Sequence, residues 1–242
     1  SKCNISFVGD NGIQGWFGSK FLTVDSCMIS YSNNRGIFCV ENHSTFSRNY
    51  IHNIGQLRGM NATNGNSGYT GIASHGSGAD VSYAIIEYNR IDSIGYNGIS
   101  FNDAYSIVRY NYVSHYCLTL HDGGGIYTAG NATIGRKIYN NICIGNCGIG
   151  ALEGQPGMLS NEGIYIDNNG SDIEVYNNTC ADNDMAGLML HGSANVRVFN
   201  NILYNNKGCA MYFVQDNGVQ NMTGNNITLN QCLTTSNSAT NF

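Results

Sequence analysis

Two aspartates stand where their neighbours suit them to chemistry: Asp122 in His121-Asp122-Gly123-Gly124-Gly125, and Asp167 in Ile164-Tyr165-Ile166-Asp167-Asn168. The glycines after Asp122 allow a close backbone approach or a bulge. Two carboxyl groups converging on one groove are what cleavage of a glycosidic bond requires. One, protonated, protonates the leaving oxygen, and the other, ionised, attacks the sugar or activates water. A separation of about 5 to 5.5 Å implies a nucleophile and retention, and one of about 6.5 to 9.5 Å implies inversion. Near these acids in the sequence pattern are groups suited to holding a sugar: His75, Asn102, His121 and His191 for its hydroxyls, Tyr127 and Tyr165 for its ring faces. Glu153, in the segment 148–162, is a reserve carboxylate, and Glu162 stands just before a strand. Each aspartate also has a plainer reading, because Asp before glycines and Asp before Asn168-Asn169-Gly170 both suit turns.

What must position these residues is a repeat. An aromatic-Asn-x-apolar phrase recurs at Tyr88-Asn89-Arg90-Ile91, Tyr110-Asn111-Tyr112-Val113, Tyr139-Asn140-Asn141-Ile142 and Phe199-Asn200-Asn201-Ile202, with weaker copies at Asn49, Asn177 and Asn225. The shortest interval, Asn89 to Asn111, is near 22 residues, and longer intervals carry insertions. A second phrase, Gly followed by an apolar residue, lies downstream: Gly36-Ile37, Gly71-Ile72, Gly98-Ile99, Gly125-Ile126, Gly163-Ile164, Gly187-Leu188. After each glycine apolar and other residues alternate, the period of a half-buried strand. Short strands at a fixed period fit a solenoid whose coils stack at roughly 4.8 Å, with asparagines bonding amide to amide up the stack.

Stacking turns the repeat into a surface map. The fourth residues after the glycines give His75, Asn102, Ala129, Asp167 and His191, and the second residues give Ala73, Ser100, Tyr127, Tyr165 and Met189. Both rows should point outward, in a stripe with neither Lys nor Arg. The longest insertions should project beside it and wall a groove. Lone histidines such as His43, His52 and His115, the ladder asparagines and the aromatic column beside them read as structural, and Trp16 as end packing.

Composition agrees and excludes alternatives. Glycine (31) and asparagine (36) exceed a quarter of the 242 residues, proline occurs once, and 11% of residues are charged. Disordered, collagenous and coiled-coil chains have other balances. A net charge of −5 with eleven scattered Lys and Arg argues against nucleic acid as a partner. No run of 18 apolar residues offers a membrane-spanning helix. Nine cysteines without a two-residue spacing make a zinc finger a weak reading, and small buried residues or scattered disulfides a better one.

The phrases His121-Asp122-Gly123-Gly124-Gly125-Ile126-Tyr127-Thr128, Gly163-Ile164-Tyr165-Ile166-Asp167-Asn168 and Leu190-His191-Gly192 resemble a series in bacterial β-helix glycoside hydrolases of the fucosidase and xylanase type. The whole chain resembles the pectate-lyase-like superfamily. The resemblance implies an all-β, right-handed parallel β-helix of about 8–9 coils in a single domain, with long insertions (about 56–70, 117–124 and 148–162) on one face. It implies a secreted or cell-surface protein with a polysaccharide or oligosaccharide partner, no cofactor, and Asp122 and Asp167 as the catalytic pair, their roles unassigned. A non-catalytic carbohydrate-binding or adhesive β-helix is the alternative. A polysaccharide lyase is a second, and only there would Ca²⁺ enter. The segments Ser1 to Lys20 and Thr234 to Phe242 are not obvious caps. We therefore expect either a longer parent chain or end-to-end association.

Overall fold

A computed structural model describes residues 2–16, 18–40, 42–60, 68–76, 83–130, 134–145, 160–216, 218 and 221–233. Their strands form three parallel sheets of nine, eight and eight strands, each strand pairing with its counterpart one coil away. The first sheet runs from Asn4–Val8 to Gln231–Leu233, the second from Ile13–Gly15 to Cys209–Val214, and the third from Thr23–Asp25 to Asn226–Thr228. The chain visits them in turn, which is the expected solenoid, and the described residues contain no helix.

Three features of the repeat make the coils close. Inside, like residues stack: Ile72, Ile99, Ile126, Ile164 and Leu188 are fully buried in one column of the second sheet. Burying each such side chain is worth about 1.5–3 kcal/mol relative to leaving it in water. The glycine that precedes this column is required by close approach, since a Cβ on Gly71 would lie 2.5 Å from the carbonyl oxygen of Gly98. At the corners single residues take the left-handed conformation, as at Tyr88, Tyr110, Asn140, Asn177 and Asn200, all at φ 56°.

That corner corrects the asparagine ladder. The bonded series is Asn49, Asn89, Asn111, Asn141, Asn178, Asn201 and Asn230, each Nδ2 donating to the next Oδ1 at 2.9–3.0 Å. Asn140, Asn177 and Asn200, taken from the sequence as its members, instead turn the chain, and the side chain one residue later faces the interior. Asn225 bonds elsewhere, accepting from Val196 N–H. The aromatic column shows the same shift. Tyr139, Tyr176 and Phe199 stack at 4.7 and 4.9 Å and Tyr88 on Tyr110 at 4.8 Å, but Tyr110 meets Tyr139 edge-on at 6.1 Å. The break arises because Tyr139 is in register with Arg109, one residue before the corner, whereas Tyr110 is the corner itself.

Insertions fall where the first sheet passes to the second, between Ile54 and Ile72, Ser114 and Gly123, and Ile144 and Asn161. Gly123, Gly124 and Glu162, assigned to loops from the sequence, belong to strands Gly123–Ala129 and Asn161–Asp167. Trp16 is half exposed, its ring tilted over Phe38 at a centroid distance of 5.7 Å.

Candidate functional site

The outward face of the second sheet carries the expected rows. Ser100, Tyr127, Tyr165 and Met189 are in register across neighbouring strands, and Ala129 is in register with Asp167. Their strand neighbours Ile126, Ile164 and Leu188 fill the core, so alternation turns these side chains outward. Arg35 corrects the expectation that this face lacks basic residues: it precedes Gly36 as Gly124 precedes Gly125, and its guanidinium lies 4.3 Å over the Phe38 ring. Arg35 is itself buried.

Asp167 is the centre of a hydrogen-bonded network although it is 7% exposed. Tyr127 donates its hydroxyl to Oδ2 at 2.7 Å, and the Asn168 N–H donates to Oδ1 at 2.7 Å. His191 Nδ1 is 2.8 Å from Oδ1, and its Nε2 is 3.0 Å from Oδ2 of Asp216. His191 thus bridges two carboxylates, one on each ring nitrogen. Three contacts on one carboxylate fix its orientation. The Tyr165 hydroxyl lies 3.3 Å from His191 Nδ1, and its ring meets that of Tyr127 edge-on at 5.4 Å. Burial, then the charge of Asp167, pushes both phenols well above their usual range, so they stay protonated.

Asp122 is presented differently. It turns into strand Gly123–Ala129 with φ 61°, its N–H donating to Ser160 O at 3.1 Å and its carbonyl accepting from Tyr96 OH at 2.7 Å. The Tyr96 ring explains the next residue, since a Cβ on Gly123 would lie 2.5 Å from Cε2 of Tyr96. The Asp122 side chain stays exposed at its edge. Packing beneath it withdraws water and, with the negative charge of Asp167, raises its pKa above the ordinary carboxylate range, against the pull of His121 and His191. His121 is half-buried beside it.

Glu162 feels the charge of both acids. Its strand partner is Gly124, whose absent Cβ would meet the Cβ of Tyr165 at 3.3 Å, so both positions face the same outward side. Glu162 is 2% exposed, and its Oε2 has no hydrogen-bond partner among the described residues. Burial, followed by the charges of Asp122, Asp167 and Asp184, raises its pKa well above the usual range. Between the ordinary value near 4.3 and the raised one, the unfolded chain has shed this proton while the folded chain keeps it. Stability should therefore fall as pH rises through that window, by up to about 1.4 kcal/mol per pH unit. Denaturant unfolding of Glu162→Gln at mildly acidic and neutral pH should show this slope reduced, and an unchanged slope would remove Glu162 as its source.

The remaining sequence candidates divide. His75 is engaged within the sheet, Nε2 to Ser100 Oγ at 2.9 Å, and burial with the nearby Arg35 charge lowers its pKa to about 4. Asn102 is exposed on the same face, two strands from Asp167. Glu153 lies outside the described residues. The outward rows counted after each glycine omit Arg35 and Glu162, which precede one; Glu162, expected just before its strand, lies within it. Asp216 joins from just beyond strand Cys209–Val214, with no repeat spacing to reveal it. Among the described residues no three His, Cys, Asp or Glu are grouped as metal ligands, and no helix is long and apolar enough to cross a membrane.

Comparisons with known proteins bear on the architecture. A family model described as "Right handed beta helix region" matches residues 158–242. Comparison by sequence with curated proteins finds no match. Among solved structures, the chain is similar to the Dettilon tailspike protein, with a TM-score of 0.60 and 16% identity over 95% of this chain and 53% of that one. It is similar to the enzymatically active domain of bacteriophage CBA120 tailspike protein 2, with a TM-score of 0.51 and 11% identity over 94% of this chain and 38% of that one. It is also similar to an alginate lyase from Paenibacillus sp. str. FPU-7, with a TM-score of 0.50 and 14% identity over 93% of this chain and 87% of that one. The chain thus spans about half the length of the Dettilon protein. The parallel register around three sheets, the family-model match and these structures agree that the chain folds as a right-handed parallel β-helix.

Proposed function

We propose that this β-helix is a carbohydrate-active protein that hydrolyses glycosidic bonds of a polysaccharide outside the cell or at its surface, with Asp122 as proton donor and Asp167 as the ionised partner. The observation that carries the reading is the contrast between two acids on one face. Asp122 has an exposed carboxyl whose pKa is raised, and Asp167 sits under three donors. Environments that separate two carboxyl groups in this way assign acid and base. Asp122 gives its proton to the leaving oxygen as the bond to the anomeric carbon breaks. Asp167 then either bonds to that carbon or takes a proton from the attacking water. Tyr127 and His191 orient Asp167 for either step.

Similarity in fold to an enzymatically active tailspike domain and to an alginate lyase supports a polysaccharide as substrate. The lyase reading has one observation of its own, the guanidinium of Arg35 on the outward face. Incubation with xylan, pectin and alginate, followed by product analysis, separates the readings. Hydrolysis yields new reducing ends without unsaturation. Products with a new carbon–carbon double bond would establish a lyase, and binding without cleavage a non-catalytic module. Cleavage should also decline on the alkaline side as pH rises through the raised pKa of Asp122, because only the protonated carboxyl can act as acid. A rate that climbs through that range would exclude Asp122 from the role.

A further inference from the structure

We propose that Tyr212 forms a second sugar-stacking subsite on this face, so that a bound polysaccharide runs along the solenoid axis from the acids toward strand Cys209–Val214. The inference rests on the polysaccharide reading above and names a residue that the repeat in the sequence does not reveal, because Ala210 stands where the other coils have their glycine.

Register places the side chain. Met189 pairs with Tyr212, and the flanking pairs Leu188 with Met211 and Leu190 with Phe213 continue the inward columns. Tyr212 therefore extends the outward row of Tyr127, Tyr165 and Met189. Two strand spacings put it roughly 10 Å from Tyr165. Tyr165 is 3%, Met189 8% and Tyr212 38% exposed; Cys209–Val214 is the last described strand of the sheet, and Phe213 beside it is 45% exposed as well. The tyrosines of the corner column are stacked on one another, whereas no aromatic ring packs against Tyr212 among the described residues.

Chemistry supplies the ligand class. A sugar ring presents an apolar C–H face suited to an aromatic ring and hydroxyls suited to polar side chains. Both kinds of group are here, since His191 sits on the adjacent strand and bonds Asp216 just beyond the end of the Tyr212 strand. Asp216 keeps its side chain 64% exposed, so its carboxylate can accept from sugar hydroxyls.

The test is affinity electrophoresis of Asp122→Asn protein, alone and combined with Tyr212→Phe, Tyr212→Ala or Tyr212→Leu, through gels containing xylan, pectin or alginate. At least one polysaccharide should retard the parent. In that gel Tyr212→Phe should match it, while the Ala and Leu variants, melting at the parent's temperature, bind about ten-fold more weakly. Equal retardation of the parent and the Leu variant would overturn the subsite and leave the functional reading standing. A parent that none of the three gels retards would overturn both.

Discussion

Asp122→Asn protein should fold like the parent and cleave polysaccharide about 10² to 10⁴ times more slowly, the range ascribed to a positioned acid or base. The substitution is close to isosteric at an exposed carboxyl that makes no hydrogen bond among the described residues. Its amide has no acidic proton for the leaving oxygen. Asp167→Asn should lose as much activity for a second reason. Both oxygens of Asp167 accept hydrogen bonds, from Tyr127 on one and from His191 and Asn168 on the other. An amide NH₂ in either place would face a donor, so this variant should also melt lower. Reducing-end release and thermal unfolding on the same preparations separate the two effects. Asp122→Asn protein retaining half the parental rate would end its assignment as the acid.

Asn141→Ala, like the same change at Asn111 or Asn201, should be strongly destabilising, by about 3 to 5 kcal/mol. Asn141 is 1% exposed, and its side chain takes part in five hydrogen bonds. Its Nδ2 donates to Val108 O, Tyr139 O and Asn178 Oδ1, and its Oδ1 accepts from the Asn111 N–H and Nδ2. Alanine would leave these partners buried and unsatisfied. In a chain of this size the melting temperature should drop by about 10 °C or more. Asn140→Ala loses mainly the ease with which Asn adopts the left-handed corner, a cost of about 1 kcal/mol. The reverse ranking by calorimetry would mean that the ladder had been assigned to the wrong residues.

These two neighbours show where the repeat in the sequence stopped being informative. Tyr139-Asn140-Asn141 announces a corner with a ladder asparagine, yet either amide fits the phrase. A single left-handed residue decides, because it turns the following side chain inward, and that conformation is a property of the closed coil. Arg35 was missed, and Glu162 was placed before its strand rather than on its outward face, for a related reason. Strand alternation is interrupted where the glycine packs against the next coil, so a count that begins after the glycine does not reach the outward residue before it. Tyr127, Asp167 and His191 came together as the stack predicts, because they lie beyond the interruption, where alternation holds.

The chain's residues dictate the stacked coil, its three walls and the face that bears the acids. Each coil must bury the same shapes over the same close backbone approach, and that demand is written locally at a period near 22. The state of each acid is not local. Asp122 is raised by a packed floor and by Asp167 from the next coil, Glu162 by burial among three other acids, and Asp167 is gripped by Tyr127 from one coil and His191 from another. Desolvation and Coulomb forces act between residues brought together from different coils, so the proposed roles of the two acids rest on the assembled solenoid.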